Sequence, residues 1–201
     1  DFVRGGMSAA QFADALAPTA VDYAGFNLLL YDGRELLYVD NHPDYEVARV
    51  SPGVHVVSND QLDTPWPKSL RLQAVLERTQ DGAALFEALS DRTPAKDAEL
   101  PDTGVGPELE RMLSPPFIVS PLYGTRCSTV VRIGDGGIEF EERRFDVVGR
   151  PSGVARERLT HAGSAARKRA GRTSARRSPG SQICCRFFGS WPGPAGLASV
   201  P

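Results

Sequence analysis

The chain has 201 residues, 41% of them apolar, and a formal charge of −2, ordinary values for one globular domain with a substantial core. Its longest mainly apolar stretch, around residues 26–31, is interrupted by Asn27 and falls far short of the roughly 20 residues a membrane-crossing helix needs. Cys127, Cys184 and Cys185 are the only cysteines, too few for a disulfide framework and without the CxxC and histidine spacing of a zinc site, so a reducing, cytoplasmic setting is expected. The small net charge hides an asymmetry. Residues 1–146 hold 13 Lys/Arg against 24 Asp/Glu, a balance of −11, whereas residues 147–201 hold 10 against 1, a balance of +9. The opening Asp1-Phe2-Val3-Arg4 has neither an initiator Met nor a basic-then-apolar leader and reads as the interior of a longer protein.

In chain order, Ser8 with Gln11 three residues on forms a capping-box pattern, and Phe12 and Leu16 share the face of a short helix over 8–16 that Pro18 stops. The apolar run 25–31, the Asp32-Gly33 turn and the run 35–39 predict a tight β-hairpin, its first strand apolar enough for burial on both faces. A second strand pair is expected at 46–50 and 54–58, turning at Ser51-Pro52-Gly53. Thr64 with Pro65 predicts a capped helix running to about residue 80, and Asp81 starts another through Leu85, Phe86 and Leu89. A Pro-, Gly- and Asp-rich loop at 91–107 precedes a short helix at 108–113. A last hairpin joins 127–133 to 138–145 across Asp135-Gly136-Gly137. The order predicts an α+β domain with mainly antiparallel sheet. From Val147 onward 20 of 55 residues are Gly, Pro or Ser, arginines cluster at 167–169 and 176–177, and no apolar period is visible, so disorder is expected there.

Six landmarks over residues 1–146 then occur in a fixed order: Tyr23-Ala24-Gly25-Phe26-Asn27-Leu28-Leu29; Pro52-Gly53-Val54-His55 leading to Ser58-Asn59; Leu62-Asp63-Thr64-Pro65-Trp66-Pro67-Lys68; Glu99-Leu100-Pro101-Asp102-Thr103; Tyr123-Gly124-Thr125-Arg126; and Glu141-Glu142-Arg143-Arg144. In these the chain resembles the transport and Golgi organization protein 2 family, also named for an Asn-Arg-Asp-Glu motif. The resemblance implies an N-terminal-nucleophile-hydrolase-like αββα architecture, of which this sequence would be the C-terminal portion, since neither the family's opening Met-Cys nor its Asn-Arg-Asp-Glu motif is present. It also implies a role in intracellular trafficking or metabolite homeostasis, with haem or acyl-lipid as the candidate cargo. Residues 147–201, absent from the family pattern, read either as a natural basic tail or as the product of a shifted reading frame.

The implied hydrolase chemistry needs a nucleophilic first residue, which this sequence lacks, and groups that stabilise a developing oxyanion. Asn59, whose side-chain amide can donate, and Arg126, whose planar guanidinium suits a carboxylate or phosphate, are the candidate site residues, both in supporting roles. Each has a plainer reading: Asn59 as a turn cap, Arg126 as the partner of an acid such as Asp63. Cys127 reads as a small core residue of a strand. No cofactor is evident from the residues; His42 and His55 are the candidates for the haem that the resemblance implies, and neither stands in an attachment spacing. The basic tail, with Phe187, Phe188 and Trp191 near it, offers a nucleic-acid or anionic-lipid contact on composition alone. A small-molecule ligand or substrate is the expected partner.

Overall fold

The computed structural model describes residues 2–58, 60–121, 123–134, 136–160 and, for the backbone alone, 182–187. It is α+β with antiparallel sheets, in two compact units: residues 1–73 and residues 74–201.

In the first unit, helix α1 (Ala9–Leu16) begins where the sequence places it. The Ser8 hydroxyl accepts from the Gln11 amide at 3.2 Å and the Gln11 side chain accepts from the Ser8 amide at 2.9 Å, so two otherwise orphaned donors are satisfied reciprocally. Beyond α1 the chain tightens into a 3-10 turn over Ala17–Asp22. Strands β1 (Asn27–Tyr31), β2 (Leu36–Asp40) and β3 (Glu46–Arg49) form an antiparallel sheet in that order. The Asp32-Gly33 hairpin holds because the Asp32 carboxylate accepts from the amides of Arg34 and Glu35, while Gly33 takes a φ of 89°. Asp32 also accepts from the Ala9 amide at 3.1 Å and so ties the start of α1 to the hairpin.

The small side chains of Ala9 and Ala13 let α1 lie close on the sheet, where they meet Leu30, Leu37 and Val39, with Phe2, Phe12, Phe26, Leu28 and Tyr45 around them. Full burial of one such Leu, Val or Phe side chain stabilises by about 1.5–3 kcal/mol, more than a helix cap contributes. This core thus decides the position of α1. It also corrects the expectation of a first strand buried on both faces: in β1 only Leu30 is buried, whereas β2 is buried from Leu37 to Asp40. The central strand has a neighbour on each side and takes that role.

The expected strand at 54–58 does not form. Its polar backbone atoms are taken by a loop instead: the Val56 amide donates to Asp63 Oδ1 at 2.9 Å and the Val56 carbonyl accepts from the Asp63 amide at 2.7 Å. Helix α2 (Pro67–Leu76) starts two residues later than expected and ends short of residue 80. Thr64 does not cap it, because its hydroxyl donates to the Gln61 carbonyl at 2.9 Å. Pro67, not Pro65, occupies the first turn, where a missing N–H costs nothing.

In the second unit, α3 (Gly82–Leu89) is capped by Asp81, whose carboxylate accepts from Ala84 at 2.9 Å, and α4 (Pro107–Leu113) follows the long loop. Within that loop Thr103 donates through its amide, at 2.7 Å, and its hydroxyl to the buried Glu110 carboxylate, which fixes the loop to α4. Strands β4 (Cys127–Gly134), β5 (Gly137–Phe145), β6 (Pro151–Leu159) and β7 (Gln182–Phe187) form one antiparallel sheet in the order β6-β5-β4-β7. Leu85, Phe86 and Leu89 of α3 are buried, α3 packs against β4, and the Arg143 guanidinium lies 3.8 Å from the centre of the Phe86 ring.

Strand β6 overturns the expectation of disorder from Val147 onward for at least nine residues. Composition misleads here because β6 is specified by its partner. Arg156 reaches Glu141 at 2.9 Å and Arg158 reaches Glu139 at 3.5 Å, and Pro151, which has no N–H to give a ladder, stands at the first position of an outer strand. The arginine clusters at 167–169 and 176–177, with Phe188 and Trp191, lie outside the described residues, as do the side chains of Cys184, Cys185 and Phe187.

Candidate functional site

Arg126 stands at the turn into β4, and its side chain is exposed. The turn before it is built tightly. Thr125 donates through its amide to the Ile118 carbonyl at 2.9 Å and accepts from the Ile118 amide with its hydroxyl at 3.0 Å, while Ser120 and Tyr123 exchange bonds at 2.8 and 3.0 Å. A Cβ at Gly124 would come within 3.2 Å of the Ile118 carbonyl oxygen, so glycine lets the two arms approach. The Arg126 carbonyl accepts from the Phe145 amide at 2.9 Å, which leaves the backbone fixed and the guanidinium outward. Asp146 is the acid it acts on. That carboxyl is held below the usual carboxylate range first by the Arg150 amide, then by the Val148 amide, with Arg126 a smaller contributor. The alternative partner, Asp63, is engaged elsewhere.

Asn59 itself lies outside the described residues; the residues around it are well anchored. His55 Nδ1 is 2.7 Å from Asp63 Oδ2 and its Nε2 is 2.9 Å from the Ser51 carbonyl. The bond to Asp63 raises the His55 pKa, the Ser51 carbonyl adds to this, and burial opposes it. Both ring nitrogens thus face oxygen acceptors, which favours the imidazolium. Asp63 adopts a φ of 63°, in the left-handed region that Asp and Asn tolerate best among residues with a Cβ. On the near side of Asn59, the Ser58 carbonyl accepts from Asn27 Nδ2 at 3.3 Å.

That bond leads to a polar group the sequence reading passed over. β1 and β2 pair Asn27 with Asp40, and Tyr38 shares the Asp40 face by the two-residue period of a strand. The face is the one opposite Leu37 and Val39. Tyr38 is 4% and Asp40 3% exposed, and the Tyr38 hydroxyl donates to Asn27 Oδ1. Burial first, and then the neighbouring Asp40 carboxylate, push the phenol above its ordinary value, while the Leu62 amide beside it acts in the opposite sense. Although Asp40 is close enough to act on Tyr38, the phenol proton points to Asn27, and neither Asp40 oxygen has a hydrogen-bond partner. The signal was available as an acid ending an apolar strand, two residues after a tyrosine.

The first unit thus presents a loop that carries Asn59, latched by His55 and Asp63, and the second an outward guanidinium on a rigid turn. Among the described residues no cluster of three or more His, Cys, Asp or Glu side chains is arranged to hold a metal ion. His55 faces a carboxylate and a carbonyl, not a hydroxyl or thiol that it could activate. No helix among the described residues is long and apolar enough to cross a membrane.

Comparison with known proteins bears on these positions together. The family profile described as Transport and Golgi organisation 2 matches residues 1–147. The human Transport and Golgi organization protein 2 homolog is 34% identical over 141 residues, covering 60% of this chain and 51% of the relative. The bovine homolog is 31% identical over 165 residues, covering 71% of this chain and 58% of the relative, and the mouse protein is 25% identical over 161 residues with the same coverage. The chain spans little more than half the length of these relatives. With the profile running from residue 1 to the end of β5 and through both the Asn59 loop and the Arg126 turn, the chain belongs to the Transport and Golgi organisation 2 family.

Proposed function

We propose that this chain is the C-terminal part of an N-terminal-nucleophile-hydrolase-like domain that serves intracellular trafficking or metabolite homeostasis by binding an anionic small molecule of the haem or acyl-lipid class. The observation that carries this reading is Arg126: an exposed guanidinium on a turn whose backbone is fixed from both sides. A planar guanidinium carried on such a backbone can pair bidentately with a carboxylate or phosphate, the groups by which haem and acyl-coenzyme A would be gripped. The names of the relatives, which refer to transport and Golgi organization, agree with it. In this reading His55 serves the loop and not the ligand.

The competing reading is a C–N hydrolase of the N-terminal-nucleophile type, in which Asn59 and Arg126 stabilise charge on the substrate and the nucleophile lies outside this sequence. Titration of the full chain with palmitoyl-coenzyme A and with haemin tests the first. Arg126→Ala is expected to weaken at least one of them about tenfold; unchanged binding of both refutes the proposal. Covalent labelling of the intact gene product at an N-terminal Cys by an amide-directed electrophile would favour the hydrolase.

A further inference from the structure

We propose that Asp40, Tyr38 and Asn27 form a receptor for a small cationic N–H donor, a primary ammonium or a guanidinium group, on the face of the first sheet turned away from α1. This site does not use Arg126 and has the opposite charge preference. The register sets Asn27, Asp40 and Glu46 in one row across β1, β2 and β3, with Tyr38 one step along the central strand. Glu46 is exposed, whereas Asp40 is 3% exposed and both its carboxylate oxygens lack a hydrogen-bond partner. A buried carboxylate without a donor is among the costliest groups a fold can hold, and such orphans mark places where a partner belongs.

Two of the donors nearby are already committed. The Tyr38 hydroxyl is given to Asn27 Oδ1, and Asn27 Nδ2 is given to the Ser58 carbonyl. The phenol oxygen also meets the Leu62 amide, and the second N–H of Asn27 is one donor against two carboxylate oxygens, so a surplus of acceptors remains at Asp40. Asp60, on the loop that passes Tyr38, adds negative potential at the same place. A surplus of acceptors under negative potential selects a ligand rich in N–H groups with a positive charge. A divalent metal fits less well, because among the described residues no group of three or more His, Cys, Asp or Glu side chains is arranged to hold one. An ammonium brings three donors and a guanidinium five, enough to satisfy both Asp40 oxygens at once.

The test uses the full chain and two probes, butylammonium and methylguanidinium chloride, at about 1–10 mM, with potassium chloride at equal ionic strength and 1-butanol as the uncharged analogue. Thermal unfolding and the NMR shift of the Leu62 amide are read together. Both are expected to respond to at least one cation, saturably, and not to potassium or butanol. Asp40→Asn keeps the shape and removes the charge; it is expected to abolish the response and to leave the unliganded protein as stable as before or more so. Tyr38→Phe, which removes the hydroxyl that holds Asn27 Oδ1 beside the carboxylate, is expected to weaken binding about threefold and serves if Asp40→Asn does not fold. No response of the unsubstituted protein to either cation overturns the proposal, as does an undiminished response in Asp40→Asn or, where only that variant folds, in Tyr38→Phe.

Discussion

Replacing Asp63 by asparagine keeps the shape of the loop latch and removes its charge. Asparagine tolerates the positive φ of residue 63 nearly as well as aspartate, and its Oδ1 can still accept from the Val56 amide. What is lost is the charge-assisted bond to His55 at 2.7 Å. Buried, such a bond is worth about 1.5–3 kcal/mol. Here the His55 and Asp63 side chains are 24% and 46% exposed, so solvent screening reduces it to about 1 kcal/mol, or about fivefold in the constant for loop opening. An NMR titration of His55 is therefore expected to show its pKa fall back toward the ordinary value of about 6.5. Amide exchange at Val56, whose own acceptor survives, is expected to quicken about fivefold. The sign with pH follows from the raised value. Stabilisation by the pair is fully present below about 6.5 and is lost as pH climbs through the folded His55 pKa, so the two proteins should converge in basic solution. An unchanged His55 pKa in Asp63→Asn, or equal Val56 exchange in mildly acidic solution, would refute the latch.

Gly137→Ala tests the β5–β6 pairing: at a φ of 118° a Cβ would stand 1.9 Å from the Leu159 carbonyl oxygen, and a loss of at least about 3 kcal/mol is expected in denaturant unfolding. A midpoint equal to that of the parent would mean that β6 does not pair there. Glu141→Gln tests the charge ladder. Arg156 first and then Arg143 hold the Glu141 carboxyl below its ordinary value, so its contribution is present above the unfolded pKa and is lost as pH falls through the folded one. The parent should exceed the variant in thermal stability at neutral pH, and the difference should close in acid; a constant difference contradicts the ladder.

Features written in neighbouring residues were legible. Ser8 with Gln11, Asp32 with Gly33 and Asp81 before Leu85 each satisfy backbone donors within a few positions, so the sequence alone places α1, the β1–β2 hairpin and α3. Features that depend on a distant partner were not. Residues 54–58 look like a strand until Asp63 takes the Val56 backbone, and β6 looks like tail until Glu139 and Glu141 of β5 supply its counter-charges. Arg126 was singled out by the motif around it, and it stands exposed at the turn into β4. Asp40 was missed because an acid ending a strand usually marks the edge of burial, whereas here Asp40 is buried although Asn27 and Glu46, beside it in the same row, are exposed.

The division of charge at residue 146 takes on a different meaning once the sheet is known. A balance of −11 before it and +9 after it suggests a basic arm for nucleic acid or anionic lipid. Arg156 and Arg158, however, are turned toward Glu141 and Glu139 on the adjacent strand, so part of the positive charge neutralises the acidic strand of the same protein. Each such pair is exposed and weak singly, but opposite charges directly across a ladder also set register, since a one-residue slip would carry every arginine to the other face. Electrostatics in this stretch therefore act first on strand pairing. Any attraction for an external polyanion rests on the clusters at 167–169 and 176–177, and it should follow their removal while remaining indifferent to Arg156→Gln, which would loosen β6 instead.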